Sequence, residues 1–435
     1  MKKLLSLLLA VTLLASLAVI PPAVADEVIT LRVWGGVPAE AGPQASIDAF
    51  NEAFKDKGIQ AEYERFVNDE TGNLKLETSL LAGNDVDLYM SYGATQLEKR
   101  SSGNMALDLS ELIARDNFDV EGIFGKMALS YYIDGKPYSI PTKMDQYGIV
   151  INKDMFDAAG IEIPTSWSFE EFREIAKKLT HGEGEDKVYG MFFNSQQDLT
   201  YPFAYFSVQL LGGDPYYKAD GSANINDPVN VAGIELVNNM MNVDHTAPTH
   251  TDSMTQKLSQ EGMFLSGKCA MTIGPWMVRS IKNLDDYPHD FVTAFAPYPT
   301  MDGTSIYTQG GYGDHLSINP KSKHIDAAWE YLKWYATEGM LPVVEGGRVP
   351  AANTYDANEV TEHFLKGAEN IIDAESAKRV LIVPASNHAV PSITNKLPEI
   401  NKVVIEELEN IYTGVKTVQQ GMDDAQARAE ELLAK

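Results

Sequence analysis

The chain begins with short apolar runs typical of strands, separated by segments with helical periodicity. Residues 28–34 (VITLRVW) alternate β-branched and aromatic side chains with polar ones and precede two glycines, so they predict a strand. Residues 59–66 and 86–90 predict two further strands, and the helices between the three strands end at Gly58 and Gly83. Strands and helices that alternate in this way predict an α/β fold with a mostly parallel, doubly wound sheet.

Length and charge narrow the class of protein further. The 435 residues leave room for two domains of ordinary size, and 44% of them are apolar. The net charge of −26 is spread along the chain, so nucleic acids and anionic membrane surfaces are unfavourable partners. Cys269 is the only cysteine, which rules out an intramolecular disulfide and a cysteine zinc cluster. The eight histidines are scattered singly, and we expect neither a metal nor a cofactor.

Residues 1–25 have the pattern of a signal peptide. Lys2 and Lys3 precede an apolar run over residues 4–20, and an A-x-A sequence at residues 23–25 predicts cleavage before Asp26. An uncleaved membrane anchor is the alternative, but the run is short for a bilayer and lacks a stop-transfer flank. We therefore expect an exported protein, either periplasmic or secreted.

Residues 138–172 mark a passage between two α/β units. A strand begins at Tyr138 and is predicted to end at Pro141; a polar crossing follows at residues 143–146, then an apolar strand at residues 147–151. Ser168 and the glutamate three residues later predict a capping box at the start of a helix. The chain is thus expected to leave one lobe and enter a second.

Three later motifs follow in order. Residues 262–276 (GMFLSGKCAMTIGPW) predict a helix that ends at Gly267, a strand and a Gly-Pro-Trp turn. Residues 309–318 (QGGYGDHLSI) predict a glycine-rich aromatic loop before a short strand and a long helix, and residues 345–350 (EGGRVP) predict another crossing. Together with residues 138–172 they form four separated motifs.

These four motifs resemble the family 1 extracellular solute-binding proteins, the maltose-binding-protein-like sugar-capturing subunits of ABC importers. The resemblance implies a periplasmic-binding-protein type II-like fold with two discontinuous doubly wound lobes and a three-crossing hinge. The predicted divisions are a signal peptide at 1–25, a first lobe at 26–143 and 299–344, a second lobe at 147–296 and 347–435, and hinge crossings at 144–146, 297–298 and 345–346. Relatives with a lipid anchor carry a cysteine at the mature N-terminus, and this sequence has none there. We therefore expect no lipid anchor.

Aromatic and polar residues near strand ends and crossings are the candidate ligand contacts. Aromatic faces stack on sugar rings, carboxylates and amides bond to sugar hydroxyls, and cations can bind a carboxylate on an acidic sugar. The alternative for each aromatic residue is ordinary core packing, and for Asp145 a structural role at the hinge. Asp314 and His315 are left open. The predicted ligand-binding residues are Trp34, Tyr92, Lys143, Asp145, Gln146, Trp276, Tyr312 and Arg348.

The expected function is capture of a sugar, preferably an oligosaccharide, between the lobes and its delivery to a permease. We expect a monomer. We expect no catalytic residues, because no G-x-S-x-G, H-E-x-x-H or phosphate-cradling motif is present. Two alternatives remain: a secreted carbohydrate-active hydrolase, which needs two carboxylates at a set separation, and a binding protein for another solute such as a peptide or polyamine.

Overall fold

The computed structural model describes residues 28–83, 86–194, 199–200, 202–204, 206, 214–274, 277–304, 307–383, 387–389 and 396–435. The strands are β1 (Ile29–Gly35), β2 (Ile59–Arg65), β3 (Leu88–Ser91), β4 (Ile140–Gln146), β5 (Ile149–Asn152), β6 (Met271–Ile273), β7 (Thr293–Ala296), β8 (Tyr307–Ile318) and β9 (Asn387–Ala389). The α-helices are Pro43–Ala53, Glu70–Ala82, Ala94–Ser102, Ser110–Asp116, Val120–Phe124, Lys153–Ala158, Phe169–Leu179, Pro228–Asn242, His250–Thr255, Gln260–Leu265, Met277–Lys282, Ile325–Thr337, Leu341–Val344, Ala357–Leu365, Ala374–Ala377, Leu397–Tyr412 and Val418–Leu433.

The first sheet has the order β2-β1-β3-β8-β4, and β9 pairs with β8. Strands β1, β2 and β3 are parallel, whereas β8 runs antiparallel to both β3 and β4. Side chains alternate across β1: Leu31 and Val33 lie in one apolar core with Phe50, and Trp34 lies in another with Phe66. Apolar cores on both faces confirm the predicted α/β, doubly wound class.

The second sheet has the order β6-β5-β7, with β5 antiparallel to both neighbours. Ile149 and Ile151 belong to a large core that includes the helix Leu397–Tyr412, and Val150, on the other face, packs in a separate core with Phe295. Two sheets, each covered on both faces, give two α/β lobes.

Two sequence predictions about strand limits were wrong. The strand predicted to end at Pro141 runs on to Gln146, so residues 143–146 lie within β4. The outer edge of β4 is partly covered, because the Met144 N–H donates to the Val349 carbonyl at 2.8 Å and the Ala351 N–H donates to the Thr142 carbonyl at 2.9 Å. The predicted loop at residues 309–313 is likewise strand, because β8 extends from Tyr307 to Ile318.

The chain passes between the two sheets at several places. The chain enters the second sheet between Gln146, which ends β4, and Ile149, which begins β5. It returns to the first sheet between Ala296, which ends β7, and Tyr307, which begins β8. A third contact lies at the end of the helix Leu341–Val344: Val343 packs in the core of the first lobe and Val344 in a core of the second. The predicted lobe boundaries stay a proposal.

The described part of the chain contains no helix that is both long and apolar enough to cross a membrane. The predicted signal peptide at residues 1–25 lies outside the described residues.

The capping box predicted at Ser168 is present. The Ser168 hydroxyl accepts a hydrogen bond from the Glu171 backbone N–H, and the Glu171 carboxylate accepts one from the Ser168 N–H at 2.7 Å. These bonds satisfy two donors at the start of the helix Phe169–Leu179, which covers a face of the second sheet.

We therefore expect Ser168→Ala to lower the free energy of unfolding by about 1 kcal/mol, since it removes an N-cap. Urea unfolding followed by circular dichroism measures the change. Ser79→Ala is the matched control, because Ser79 lies inside the helix Glu70–Ala82, where alanine favours helix formation. Equal destabilisation by both changes would contradict the capping role.

Candidate functional site

The segment after the third contact lies between the two lobes. A Cβ on Gly346 would lie 3.1 Å from the Ala41 carbonyl oxygen of the first lobe, and a Cβ on Gly347 would lie 2.8 Å from the Val278 Cβ of the second. Gly347 also has a φ of +85°, which glycine adopts without strain. These two glycines allow the backbone to fit between the lobes and fix the position of Arg348.

Arg348 forms an ion pair with Asp314 of β8. Its Nε donates to Asp314 Oδ2 at 2.7 Å, and both side chains are largely buried. Burial by itself lowers the pKa of Arg348, but the negative charge of Asp314 outweighs that effect and raises the pKa above its usual value. The predicted ligand contact Arg348 therefore has a protein partner for one of its donors, and Asp314 is the residue that holds it.

Two tyrosines hold the loop that follows β1. The Gly36 N–H donates to Tyr92 Oη, and Tyr63 Oη donates to the Val37 carbonyl at 2.7 Å. Burial raises the pKa of both hydroxyls above the usual range, so both stay protonated. Tyr92 is a predicted stacking residue, but its ring packs against the Gly36 backbone. Less of the ring is therefore open to a ligand than in a fully exposed tyrosine.

The other predicted aromatic contacts differ in their surroundings. The Trp34 side chain is 5% exposed in an apolar core, and Lys75 Nζ lies 4.9 Å from its ring centroid. Tyr312 is 6% exposed, and its hydroxyl donates to the Phe124 carbonyl. The Trp34 ring packs in this core, its Nε1 is buried without a hydrogen-bond partner among the described residues, and Tyr312 lines a cavity beside β4. Trp276 lies outside the described residues.

Strand β4 carries the predicted polar contacts. Lys143 Nζ and an Asp145 carboxylate oxygen form an ion pair within the strand, and Asp145 faces Gly313 of β8. Gln146 is 7% exposed, and its Oε1 is buried without a hydrogen-bond partner among the described residues. An unsatisfied buried acceptor is costly, so a donor that reached Gln146 Oε1 would stabilise it.

Gln146 opens into a cavity of about 280 Å³ between the two lobes. Met144 and Tyr312 line it from the first sheet, and Val360 and Ile382 line it from segments whose core belongs to the second lobe. A concave, mostly apolar site with a few polar side chains such as Gln146 matches the usual make-up of small-molecule sites, whose volumes begin near roughly 300 Å³.

Two cationic residues that the sequence analysis did not select are Arg65 and Arg279. Arg65 ends β2 and is exposed; Arg279 lies in the helix Met277–Lys282 and is half-buried. Burial lowers the pKa of Arg279, and the positive charges of Arg348 and Arg65 lower it further. The sequence could have pointed to Arg65, because it lies at the end of a predicted strand and ligands of parallel sheets bind beyond the carboxyl ends of the strands.

His315, left open by the sequence, has a structural role. It is fully buried in β8, where its Nε2 donates to the Tyr312 carbonyl at 3.0 Å and its ring lies 4.6 Å from that of Tyr131. Burial lowers its pKa to about 4, so the ring is neutral at physiological pH. Among the residues that the structure describes, no three His, Cys, Asp or Glu side chains form a group that could hold a metal.

The pKa of His315 predicts a pH dependence of stability. In the unfolded chain the ring takes up a proton below about pH 6.5, whereas the folded protein does so only near pH 4. The stability contributed by the neutral ring is therefore complete above pH 6.5 and is lost as the pH falls to 4, by roughly 3 kcal/mol. His315→Gln has no group that titrates at this position. The difference between its free energy of unfolding and that of the wild type, measured in urea, should therefore shrink as the pH falls from 6.5 to 4. A constant difference would contradict the assignment.

The contact between Gly313 and Asp145 predicts a steric effect. A Cβ at Gly313 would lie 2.2 Å from Asp145 Oδ2, so Gly313→Ala must displace the carboxylate from Lys143. We expect a loss of about 1–3 kcal/mol in the free energy of unfolding, as for other overpacked sites. Gly93→Ala is the matched control, because its Cβ would meet no heavy atom within 4 Å. Unchanged stability in Gly313→Ala would contradict this packing.

Comparison with known proteins places this geometry in context. The family model described as bacterial extracellular solute-binding protein matches residues 38–341. The sn-glycerol-3-phosphate-binding periplasmic protein UgpB of Yersinia enterocolitica is 25% identical over 450 aligned positions, covering 94% of this chain and 93% of that protein. A binding protein of Brucella abortus is 25% identical over 375, covering 83% of each.

Solved structures share the fold. A sugar transporter from Rhizobium etli in an open conformation superposes with a TM-score of 0.74 at 21% identity, covering 92% of this chain and 99% of that one. An ABC substrate-binding protein from Listeria monocytogenes in complex with cycloalternan gives 0.75 at 18% identity, with coverage of 94% and 100%. UgpB of Mycobacterium tuberculosis in complex with glycerophosphocholine gives 0.72 at 17%, with coverage of 93% and 98%.

Proposed function

Because the chain belongs to the bacterial extracellular solute-binding proteins of ABC importers, we propose that it captures a sugar, preferably an oligosaccharide, between its lobes. The permease that would receive the sugar is a separate membrane protein. Structures with the same fold include proteins bound to cycloalternan and to maltotriose, which supports a carbohydrate ligand.

The interlobe cavity lined by Gln146, whose Oε1 is buried without a partner among the described residues, is the observation that carries this proposal. A sugar hydroxyl can donate to this acceptor, and the C–H face of the ring can lie against Tyr312 and the aliphatic residues around it. Because the cavity has walls from both lobes, a sugar held there bridges them.

Ligand bridging gives the mechanism. Only the closed arrangement contacts a solute from two sides, so binding shifts the open–closed equilibrium towards the closed form. The segment with Val343 and Val344 belongs to the cores of both lobes, and its glycines lie against Ala41 and Val278. We propose that this segment is one of three hinge crossings about which the lobes close as rigid bodies.

Binding without catalysis is the role that we propose for the cleft carboxylates. Asp145 is ion-paired with Lys143, and Asp314 with Arg348. Glycoside hydrolysis needs one carboxyl group as a proton donor and a second as base or nucleophile across the scissile bond. These two carboxylates instead hold cations, which suits a rigid binding surface.

The relatives favour a second class of ligand. UgpB proteins named for sn-glycerol-3-phosphate match 94% of this chain in one case and 73% in another. A phosphorylated polyol is therefore the second candidate. The same relatives are periplasmic, which supports export by the predicted signal peptide; a monomer without a lipid anchor stays our proposal.

A thermal-shift screen tests the ligand class. Neutral oligosaccharides should protect the protein, with about 2.7 kcal/mol of stabilisation at a concentration one hundred times the Kd. Uronides, sn-glycerol-3-phosphate, peptides and polyamines form the other arms of the screen. Release of smaller sugars during incubation would identify a hydrolase, and protection by peptides or polyamines alone would overturn the sugar proposal.

Gln146→Leu tests whether Gln146 contacts the sugar that the screen identifies. Leucine has a similar shape and removes an unsatisfied buried acceptor, so the melting temperature without ligand should stay the same or rise. Affinity for the sugar should fall about 3- to 10-fold, the worth of one hydrogen bond. Gln256→Ala, at an exposed helix end, is the control. Unchanged affinity in Gln146→Leu would remove Gln146 from the site.

A further inference from the structure

Asn68 follows the carboxyl end of β2, at the edge of the first sheet where the parallel strands β1 and β3 also end. A Cβ on Gly36 would lie 3.1 Å from the Asn68 Cβ and 2.9 Å from Cε2 of the Tyr92 ring. The loops after the three strands therefore meet here. Ligands of doubly wound sheets bind beyond this edge, yet the sequence analysis did not select Asn68.

These loops lie where the first lobe approaches the second. The helix Ala94–Ser102 follows the loop after β3, and it contacts the helix Leu397–Tyr412 of the second lobe. Ala94 packs against the large core to which that second helix belongs. Since β8 is antiparallel to both β3 and β4, β4 is parallel to β3. Asn68 and Gln146 are thus on the same edge of the sheet, facing the second lobe.

The amide of Asn68 is held in one orientation by Gln96. The Tyr92 backbone N–H can only donate, so the atom of Gln96 that it bonds at 2.8 Å is Oε1. Gln96 therefore turns its Nε2 towards Asn68, and this Nε2 donates to Asn68 Oδ1 at 3.1 Å. The oxygen of the Asn68 amide is thus the atom that faces Gln96.

Arg100 fixes the same orientation by a second route. Its guanidinium is fully buried and can only donate, and Nη2 bonds Asn73 Oδ1. Asn73 Nδ2 in turn donates to Asn68 Oδ1 at 3.0 Å. Two donors, each oriented by a group that cannot accept, converge on the one oxygen of Asn68.

Asn68 Nδ2 is left as the free end of this side chain. It donates to none of the residues that the structure describes, and Asn68 is exposed. An exposed asparagine normally loses rotamer freedom when it binds a ligand, but the bonds from Gln96 and Asn73 have already restricted this one. Binding through Nδ2 therefore costs less entropy, as expected of a preorganised site.

The position of Asn68 also sets the length of its ligand. β2 and β4 are the first and last strands in the order β2-β1-β3-β8-β4, so four strand spacings, roughly 19 Å, separate them. A single sugar ring in the cavity beside Gln146 is too short to reach Asn68. An oligosaccharide that leaves this cavity along the edge of the sheet can reach it, and its hydroxyl and ring oxygens can accept from Nδ2.

We infer that Asn68 donates through Nδ2 to an oxygen of an oligosaccharide, and that Gln96 and Asn73 are positioning residues for this contact. The inference rests on the proposed function, in which a sugar lies between the lobes and contacts Gln146. It adds a second contact at the opposite end of the sheet edge, and it specifies a substrate of several sugar rings.

Calorimetric titration with sugars of increasing length tests the inference. The malto-, cello-, xylo- and manno-oligosaccharides are titrated from the monosaccharide to the hexasaccharide. Asn68→Asp keeps the shape and the Oδ1 acceptor but replaces the donor by an oxygen. Affinity for the hexasaccharide of the series that binds should fall about 10-fold, the worth of one hydrogen bond, and affinity for the monosaccharide should not change.

Asn370→Asp is the matched control, because it introduces the same charge at another exposed asparagine, and it should leave every affinity unchanged. Circular dichroism and thermal melting without sugar check that each variant is folded.

Gln96→Glu tests the positioning role. Glutamate keeps an acceptor for the Tyr92 N–H but loses the donor that holds Asn68 Oδ1, so the hexasaccharide should bind about 3-fold more weakly. In an Asn68→Ala background the same change should have no effect on affinity, because the amide that Gln96 orients is gone. Equal effects in both backgrounds would show that Gln96 acts independently of Asn68 and would overturn its positioning role.

The outcomes separate this inference from the proposed function. Loss of affinity in Asn68→Asp for long sugars alone supports the inference. If oligosaccharides bind and Asn68→Asp leaves all affinities unchanged, the contact is refuted and the sugar-binding role stands. Equal losses for the monosaccharide and the hexasaccharide would overturn the contact at two distant points. If no sugar of any series binds the wild type, the proposed function fails and the inference fails with it.

Discussion

The close approach of residues 346–347 to both lobes is the contact on which the cleft depends. Ala41 on one side and Val278 on the other leave no room for a side chain, and the preceding Val343 and Val344 pack in the cores of different lobes. Their positions fix Arg348, and Arg348 in turn holds Asp314, which has a left-handed φ of +47° within β8. The geometry of the cleft therefore rests on backbone contact first and on charge second.

Local patterns were sufficient to predict the fold. Alternation in residues 28–34, the capping box at Ser168 and the order of four motifs each carry their information within a few neighbouring residues. The full lengths of β4 and β8 do not, because these two strands pair across about 170 residues of sequence and their polar, glycine-rich segments lack alternation. Residues such as Asp145 and Gly313 form strand because of that pairing.

The candidate site was harder to predict, because residue type alone does not give side-chain direction. Trp34 and Arg65 both lie at the carboxyl ends of neighbouring parallel strands, yet Trp34 is in a core and Arg65 is exposed. The choice depends on which face of the sheet a helix covers. Burial and unsatisfied hydrogen bonds, which select Gln146, depend on contacts between distant segments and leave no mark in the local sequence.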